Sequence, residues 1–138
     1  MTTPEQRAEL DDLVDRYCDG VIRRDADTWA STWAPDGEWD LGRGPVSGRD
    51  AIVEAWTGAM TMFDWVVQTA PLRIYDVEPG AAAGTGRVTT SEQFRTADGT
   101  RGSVLGTYHD TYVRTDAGWR FGSRRLTIID YNVTPPPG

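Results

Sequence analysis

Four side chains, Glu92, Tyr108, Asp110 and Arg124, have the types and spacing to carry chemistry. Along Val88-Thr89-Thr90-Ser91-Glu92 a two-residue period puts Val88, Thr90 and Glu92 on one strand face. A carboxyl on an apolar face loses hydration, which disfavours its charged form. Its pKa rises toward neutrality, where it can serve as a general base or acid. The alternative is a glutamate on a solvent face, or one paired with an arginine. The Tyr108 phenol can donate a hydrogen bond to a developing oxyanion. Asp110 and Arg124 face each other across a hairpin. They either hold the sheet register as a structural pair or bind a polar substrate group at a pocket floor. Glu38 and Asp40 alternate on a short strand and offer further carboxylates. His109 is the only histidine, the residue type most often used to shuttle protons. Alternation nevertheless puts it on the face opposite Tyr108 and Asp110, at a subunit interface or on the surface.

The element that must place most of these groups is a long hairpin from Gly106 to Tyr131, rich in Thr, Tyr, Val, Phe, Trp and Ile. A three-residue loop Asp116-Ala117-Gly118 predicts that Thr115 faces Trp119, Val113 faces Phe121, Asp110 faces Arg124 and Tyr108 faces Leu126. One face then carries Tyr108, Asp110, Arg124, Leu126 and Ile128. The other carries Thr107, His109, Thr111, Val113, Phe121 and Arg125. Upstream, Thr3-Pro4-Glu5-Gln6 reads as a capping box opening a helix with an apolar face from Leu10 to Ile22. Asp25 or Asp27 caps a short second helix carrying Trp29 and Trp33, ended by Pro35-Asp36-Gly37. A short strand follows over Glu38 to Leu41, then a third helix bearing Ala51, Ile52, Ala55, Trp56 and Ala59. Strands are expected at Trp65–Val77, interrupted at Pro71, then at Ala82–Thr96, Arg101–Thr115 and Trp119–Tyr131. Residues 1–138 form one domain, with 132–138 a flexible tail. The layout is α+β: three N-terminal helices cover a curved antiparallel sheet and enclose an apolar pocket.

Acidic residues outnumber basic ones, 21 to 14, for a net charge of −7, which argues against nucleic acid or an anionic membrane as partner. No apolar run reaches the length of a membrane span, and the first residues are polar, so a cytoplasmic location is expected. One cysteine, Cys18, excludes an internal disulfide and reads as a small buried hydrophobe. One histidine and one cysteine make a protein-only zinc site an unsuitable reading. Gly84-Thr85-Gly86 is too short for a dinucleotide fingerprint. No cofactor is expected. Trp29, Trp33, Trp39, Trp56 and Trp65 fall where helices meet sheet, either as a stacking wall for a flat ligand or as plain core.

Three segments, RRDADTWASTWAPDGEWDLG, VSGRDAIVEAW and GTYHDTYVRTDAGWRFGSRR, resemble the SnoaL-like branch of the nuclear-transport-factor-like superfamily. Its members include polyketide cyclases, ketosteroid isomerase, scytalone dehydratase and hexachlorocyclohexane dehydrochlorinase. The resemblance implies a cone-shaped domain with a deep apolar pocket, and association through the sheets as a homodimer or homotrimer. It implies a pocket wall bearing Tyr108, with Glu92 where scytalone dehydratase carries a pocket histidine. Asp40 lies where the dehydratase carries a pocket tyrosine, and Arg124 matches an arginine of the dehydrochlorinase pocket. The chain departs at the Asp–His dyad of the eliminating relatives. Ile22 takes the Asp position and Val67, or Gln68 with a one-residue shift, the His position. Asp25 is nearby but reads as a helix cap.

These observations lead to a cofactor-independent enzyme acting by proton transfer on a small hydrophobic polyketide-, steroid- or terpenoid-like molecule, by cyclisation, isomerisation or dehydration. The catalytic set is Glu92 or Asp40 with Tyr108. Arg124, Asp110, Ile22, Val88, Thr90, Leu126, Ile128 and Trp65 form the substrate-binding walls. The rival is a non-catalytic protein binding a ligand in the same pocket, and a third reading is an accessory subunit whose sheet face binds another protein.

Overall fold

In the computed structural model, which describes Met1–Gly138 throughout, helix α1 (Pro4–Arg23) starts at the predicted capping box. The Gln6 amide N–H donates to Thr3 Oγ1 at 3.1 Å, and the Thr3 N–H donates to Gln6 Oε1 at 2.9 Å. Gln6 Nε2 also donates to the Glu78 carbonyl at 2.8 Å, tying the start of the helix to the turn after the third strand. Leu10, Leu13, Val14, Tyr17, Cys18 and Val21 form its buried stripe. Gly20 lies against the Trp29 backbone, where a Cβ would approach to 3.0 Å, so α1 and α2 (Ala26–Ala30) pack closely.

The second helix is shorter than expected. Ser31 Oγ and Thr32 Oγ1 donate back to the carbonyls of Thr28 and Trp29, and the chain then turns extended. Trp33 therefore opens strand β1 (Trp33–Asp40) instead of sharing a helix face with Trp29. Pro35 is accommodated because the β1 pairing slips between Trp33 and Glu38. Strand β2 (Pro45–Ser47), helix α3 (Arg49–Met60) and strands β3 (Phe63–Asp76), β4 (Ala83–Thr96), β5 (Arg101–Thr115) and β6 (Gly118–Thr134) complete the fold. The sheet order is β2-β1-β6-β5-β4-β3. All pairs are antiparallel except β1–β6, which is parallel, so the curved sheet is mixed. The expected break at Pro71 is a register shift between Thr69 and Leu72. β6 runs on to Thr134, paired with Arg101, so the unpaired tail is only Pro135–Gly138.

The hairpin differs from expectation in a self-correcting way. Its loop is the two residues Asp116-Ala117, with Thr115 opposite Gly118 and Tyr112 opposite Phe121. Gly122 is then an extra residue on β6, and the register beyond it returns to Asp110 opposite Arg124 and Tyr108 opposite Leu126. The bulge flips Phe121 onto the inner face, where it is fully buried against Tyr17, Trp33 and Tyr112. His109 keeps its predicted outer position, between Arg87 and Arg125 on the neighbouring strands.

The core lies between α1–α3 and the inner sheet face. Trp29 stacks on Trp56 with ring centroids 4.6 Å apart and planes at 9°, and meets Trp39 edge-on at 5.3 Å. No helix is long and apolar enough to cross a membrane.

Candidate active site

Three inward rows of the sheet, read across the strands, explain the site. Gln68, Glu92, Val104 and Tyr131 form one row, Thr90, Gly106 and Ile128 the next, and Val88, Tyr108 and Leu126 the third. Helices α1 and α3 close over them. Between lies a mostly apolar cavity of about 250 Å3, with Val21, Trp39, Trp56 and Phe63 among its other walls. Glu92, Gln68, Thr90, Tyr17, Tyr108 and Tyr131 bring polar tips to its surface.

Glu92 receives a hydrogen bond from Gln68 Nε2 at 3.0 Å. Burial pushes its carboxyl above the ordinary value, and the Gln68 hydrogen bond opposes the rise. Two inward rows along the same sheet face, Trp39 Nε1 donates to Tyr108 Oη at 3.4 Å, and the hydroxyls of Tyr17 and Tyr108 meet at 3.3 Å. An indole N–H can only donate. When Tyr17 also donates, both lone pairs of Tyr108 are taken and its own proton is free to point at a ligand oxygen. Burial raises both phenols, so both are neutral donors near pH 7. The Arg124 guanidinium, 4.0 Å from the Tyr108 ring centroid, pulls Tyr108 back down.

Arg124 and Asp110 themselves do not reach the cavity. They sit one inward row deeper, beside Gly86 and Trp39, roughly 7 Å further along the strands. Arg124 is 1% exposed and Asp110 3%. Arg124 Nε and Nη2 donate to the two Asp110 oxygens at 2.8 and 3.1 Å, and the Tyr112 hydroxyl donates to Asp110 Oδ2 at 2.9 Å. The guanidinium is sandwiched by the rings of Tyr17, Tyr108 and Phe121 at 4.4, 4.0 and 4.1 Å. Its Nη1 has no hydrogen-bond partner. The pair is a charged foundation beneath the phenols, outside this cavity.

Of the other expected wall residues, Thr90, Leu126 and Ile128 line the cavity. Val88 is fully buried and does not line the cavity, although it shares a row with Tyr108 and Leu126. Ile22 is 42% exposed because the inward position on α1 belongs to its neighbour Val21. Trp65 lies outside because Val66, Gln68 and Ala70 are the buried alternation of β3; it stacks under Arg101 instead. Asp40 opens onto the other sheet face, where its Oδ1 accepts from the Gly42 N–H at 2.8 Å. Asp25 caps α2, accepting the Thr28 N–H at 3.2 Å. Trp39 and Trp56 supply the aromatic wall, whereas Trp29 and Trp33 are core. Sequence reasoning did not single out Tyr17, and it weighed Gln68 only as an alternative to Val67. Both break an apolar alternation with a polar tip, which was the available signal.

The fold and cavity define a SnoaL-like, nuclear-transport-factor-like domain. The chain belongs to the SnoaL-like domain family, whose sequence pattern matches residues 2–125. A candidate aromatic ring hydroxylase of Novosphingobium aromaticivorans superposes with a TM-score of 0.89 at 21% identity, over 97% of this chain and 96% of that one. A hexachlorocyclohexane dehydrochlorinase, LinA type 2, gives 0.84 at 20% identity, over 97% and 95%. A candidate scytalone dehydratase of Novosphingobium aromaticivorans gives 0.84 at 19%, over 97% and 94%. At these identities the likeness establishes a shared fold. No curated protein matches the sequence.

Proposed function

We propose that the protein is an enzyme that moves a proton on a small, largely hydrophobic organic molecule, with Glu92 as base and Tyr108, backed by Tyr17, as the donor to a developing oxyanion. The observation carrying this reading is one buried carboxyl and one doubly supported phenol on the same mostly apolar cavity, two inward rows apart on neighbouring strands. Cyclisation, isomerisation and dehydration all require that pair: C–H or O–H deprotonation on one side and charge stabilisation on the other. Protonated Glu92 then returns its proton, to the new carbon position in isomerisation or to the leaving hydroxyl in dehydration, which departs as water. An apolar cavity of ~150 Å3 accommodates benzene, so this one has room for roughly ten non-hydrogen atoms. That favours a one- or two-ring polyketide or terpenoid fragment over a four-ring steroid.

Trp39 and Trp56 on the wall supply the assay. Titration with one- and two-ring ketones and phenols should quench tryptophan fluorescence, and bound compounds should be converted. Binding of such compounds with no conversion across the series would instead establish the carrier reading, which is favoured by the lack of a histidine on the cavity wall. Tyr108→Phe should lower kcat by roughly 10²-fold with little change in KM, the effect of deleting one oxyanion donor. An unchanged kcat would remove Tyr108 from the chemistry.

We further propose that the chain assembles as a homodimer or homotrimer through its outer sheet face. Arg87, His109 and Arg125 there form a transverse row with no intramolecular ion pair, and Asp40, Glu38 and Asp76 flank the same groove. Cations and carboxylates on one surface can pair between copies. Light scattering should give two or three times the 15.3 kDa chain mass, falling in high salt. A mass of one chain at micromolar concentration would refute this.

A further inference from the structure

We infer that Gln68 is the positioning residue that keeps Glu92 in its hydrogen-bond-accepting, ionised form, and that the Cys18 thiol decides which way round the Gln68 amide sits. This rests on the reading of Glu92 as the base. The three residues come from three elements. Cys18 lies on α1, Gln68 on β3 and Glu92 on β4, where Gln68 and Glu92 are direct cross-strand partners. Cys18 and Gln68 are 7% and 6% exposed. Cys18 Sγ donates to Gln68 Oε1 at 3.7 Å, and Gln68 Nε2 donates to Glu92 Oε2 at 3.0 Å.

The chain of bonds has a direction. An amide offers a carbonyl at one end and an NH2 at the other, and a neighbour can select its orientation. Burial pushes the Cys18 thiol up to about 11, so near neutrality it is S–H and presents a hydrogen to Gln68. The carbonyl end therefore turns to Cys18 and the NH2 end to Glu92. An NH2 can only donate, so it rewards a carboxylate and gives nothing to the hydrogen of a carboxylic acid. Without the thiol the amide is free to turn over, and its carbonyl can then accept from protonated Glu92. The relay thus opposes desolvation and retains a usable base inside a dry cavity.

The surrounding groups do not replace it. Tyr108 from β5 and Tyr17 from α1, both neutral, share the cavity with Glu92, and Tyr131 from β6 also lines it. Arg124 on β6 lies in the deeper row, committed to Asp110. Arg73 on β3 and Asp15 on α1 act on Cys18 with opposite signs and are bonded to one another at 2.6 Å.

The test reads Glu92 directly and needs no substrate. Protein labelled with 13C at the glutamate side-chain carboxyl is titrated by NMR, and the Glu92 signal is assigned by its loss in Glu92→Gln. Gln68→Met should move the Glu92 midpoint upward by about one pH unit or more, the effect of losing one charge-assisted hydrogen bond. Cys18→Ala should move it in the same direction by less, and Cys18→Ser, which restores a donor, should return it. Midpoints unchanged in both Gln68→Met and Cys18→Ala, with native-like amide spectra, would overturn the proposal. Once a converted compound is in hand, the acid limb of its kcat/KM profile should shift with the NMR midpoint. A midpoint that moves while turnover does not would leave the relay standing and overturn Glu92 as the base instead.

Discussion

Glu92→Gln should abolish most turnover, by ~10²-fold or more in kcat, while ligand affinity stays within a few-fold. The substitution keeps size and shape, and its carbonyl can still accept from Gln68 Nε2, so the cavity wall is preserved. What is lost is the ability to take a proton. The pH profile supplies a second readout. Burial holds the Glu92 carboxyl above its usual range, so activity that needs the carboxylate is full above the folded-state pKa and falls as pH drops through it. Stability carries the opposite sign. A carboxyl whose pKa is higher in the folded than in the unfolded state binds more protons when folded. Its contribution is favourable below the unfolded value and is lost as pH rises through the folded value. Glu92→Gln should therefore flatten the loss of stability that accompanies rising pH between the unfolded and folded values of this carboxyl, while removing activity, which a general packing defect would not do. A variant retaining wild-type kcat on a converted compound would end the catalytic assignment and leave a ligand-binding protein.

The second large effect is on stability. Arg124→Met should lower the melting temperature by roughly 10–15 °C, because breaking a buried ion pair from one side costs about 3–5 kcal/mol. Methionine fills much of the space between the Tyr17, Tyr108 and Phe121 rings but leaves Asp110 facing a dry interior with only the Tyr112 hydroxyl. Asp110 would then prefer its protonated form. Its folded-state pKa would lie further above the unfolded value, so the loss should be smaller near pH 4 than near pH 8. Pairing Arg124→Met with Asp110→Leu should recover much of the deficit, since apolar replacements of both partners are often neutral. The deep row predicts little direct effect of Arg124→Met on ligand affinity at temperatures where the variant is folded. A large affinity loss with unchanged stability would place the guanidinium at the substrate after all.

Much of the fold was legible because local rules act on neighbours. The capping box at Thr3–Gln6, the α1 stripe and the approximate extent of strands β3 to β5 follow from side-chain period and cap chemistry. The pairing of Asp110 with Arg124 was also readable, though by compensation: a loop one residue shorter than expected is offset by a bulge at Gly122. Phe121, lying between the two irregularities, is the residue whose face was misread. The second helix failed as a reading because Trp29 and Trp33 have helical spacing, while Ser31 and Thr32 bonded to the preceding turn end it before Trp33.

Strand alternation determined which side of the sheet each residue faces, and for Glu92, Thr90, Tyr108 and Leu126 that was sufficient. It does not encode depth. Asp110 and Arg124 face inward as their period requires, yet lie below the cavity floor, because depth depends on where α1 and α3 cross the curved sheet. Nor does it encode partners drawn from distant elements. Tyr17 meets Tyr108 across 91 residues, and Cys18 meets Gln68 across 50. The sequence by itself determined the elements, the inner face and a carboxyl and a phenol on it. Only tertiary packing decided that an amide and a second phenol complete the site, and that the ion pair supports it from beneath.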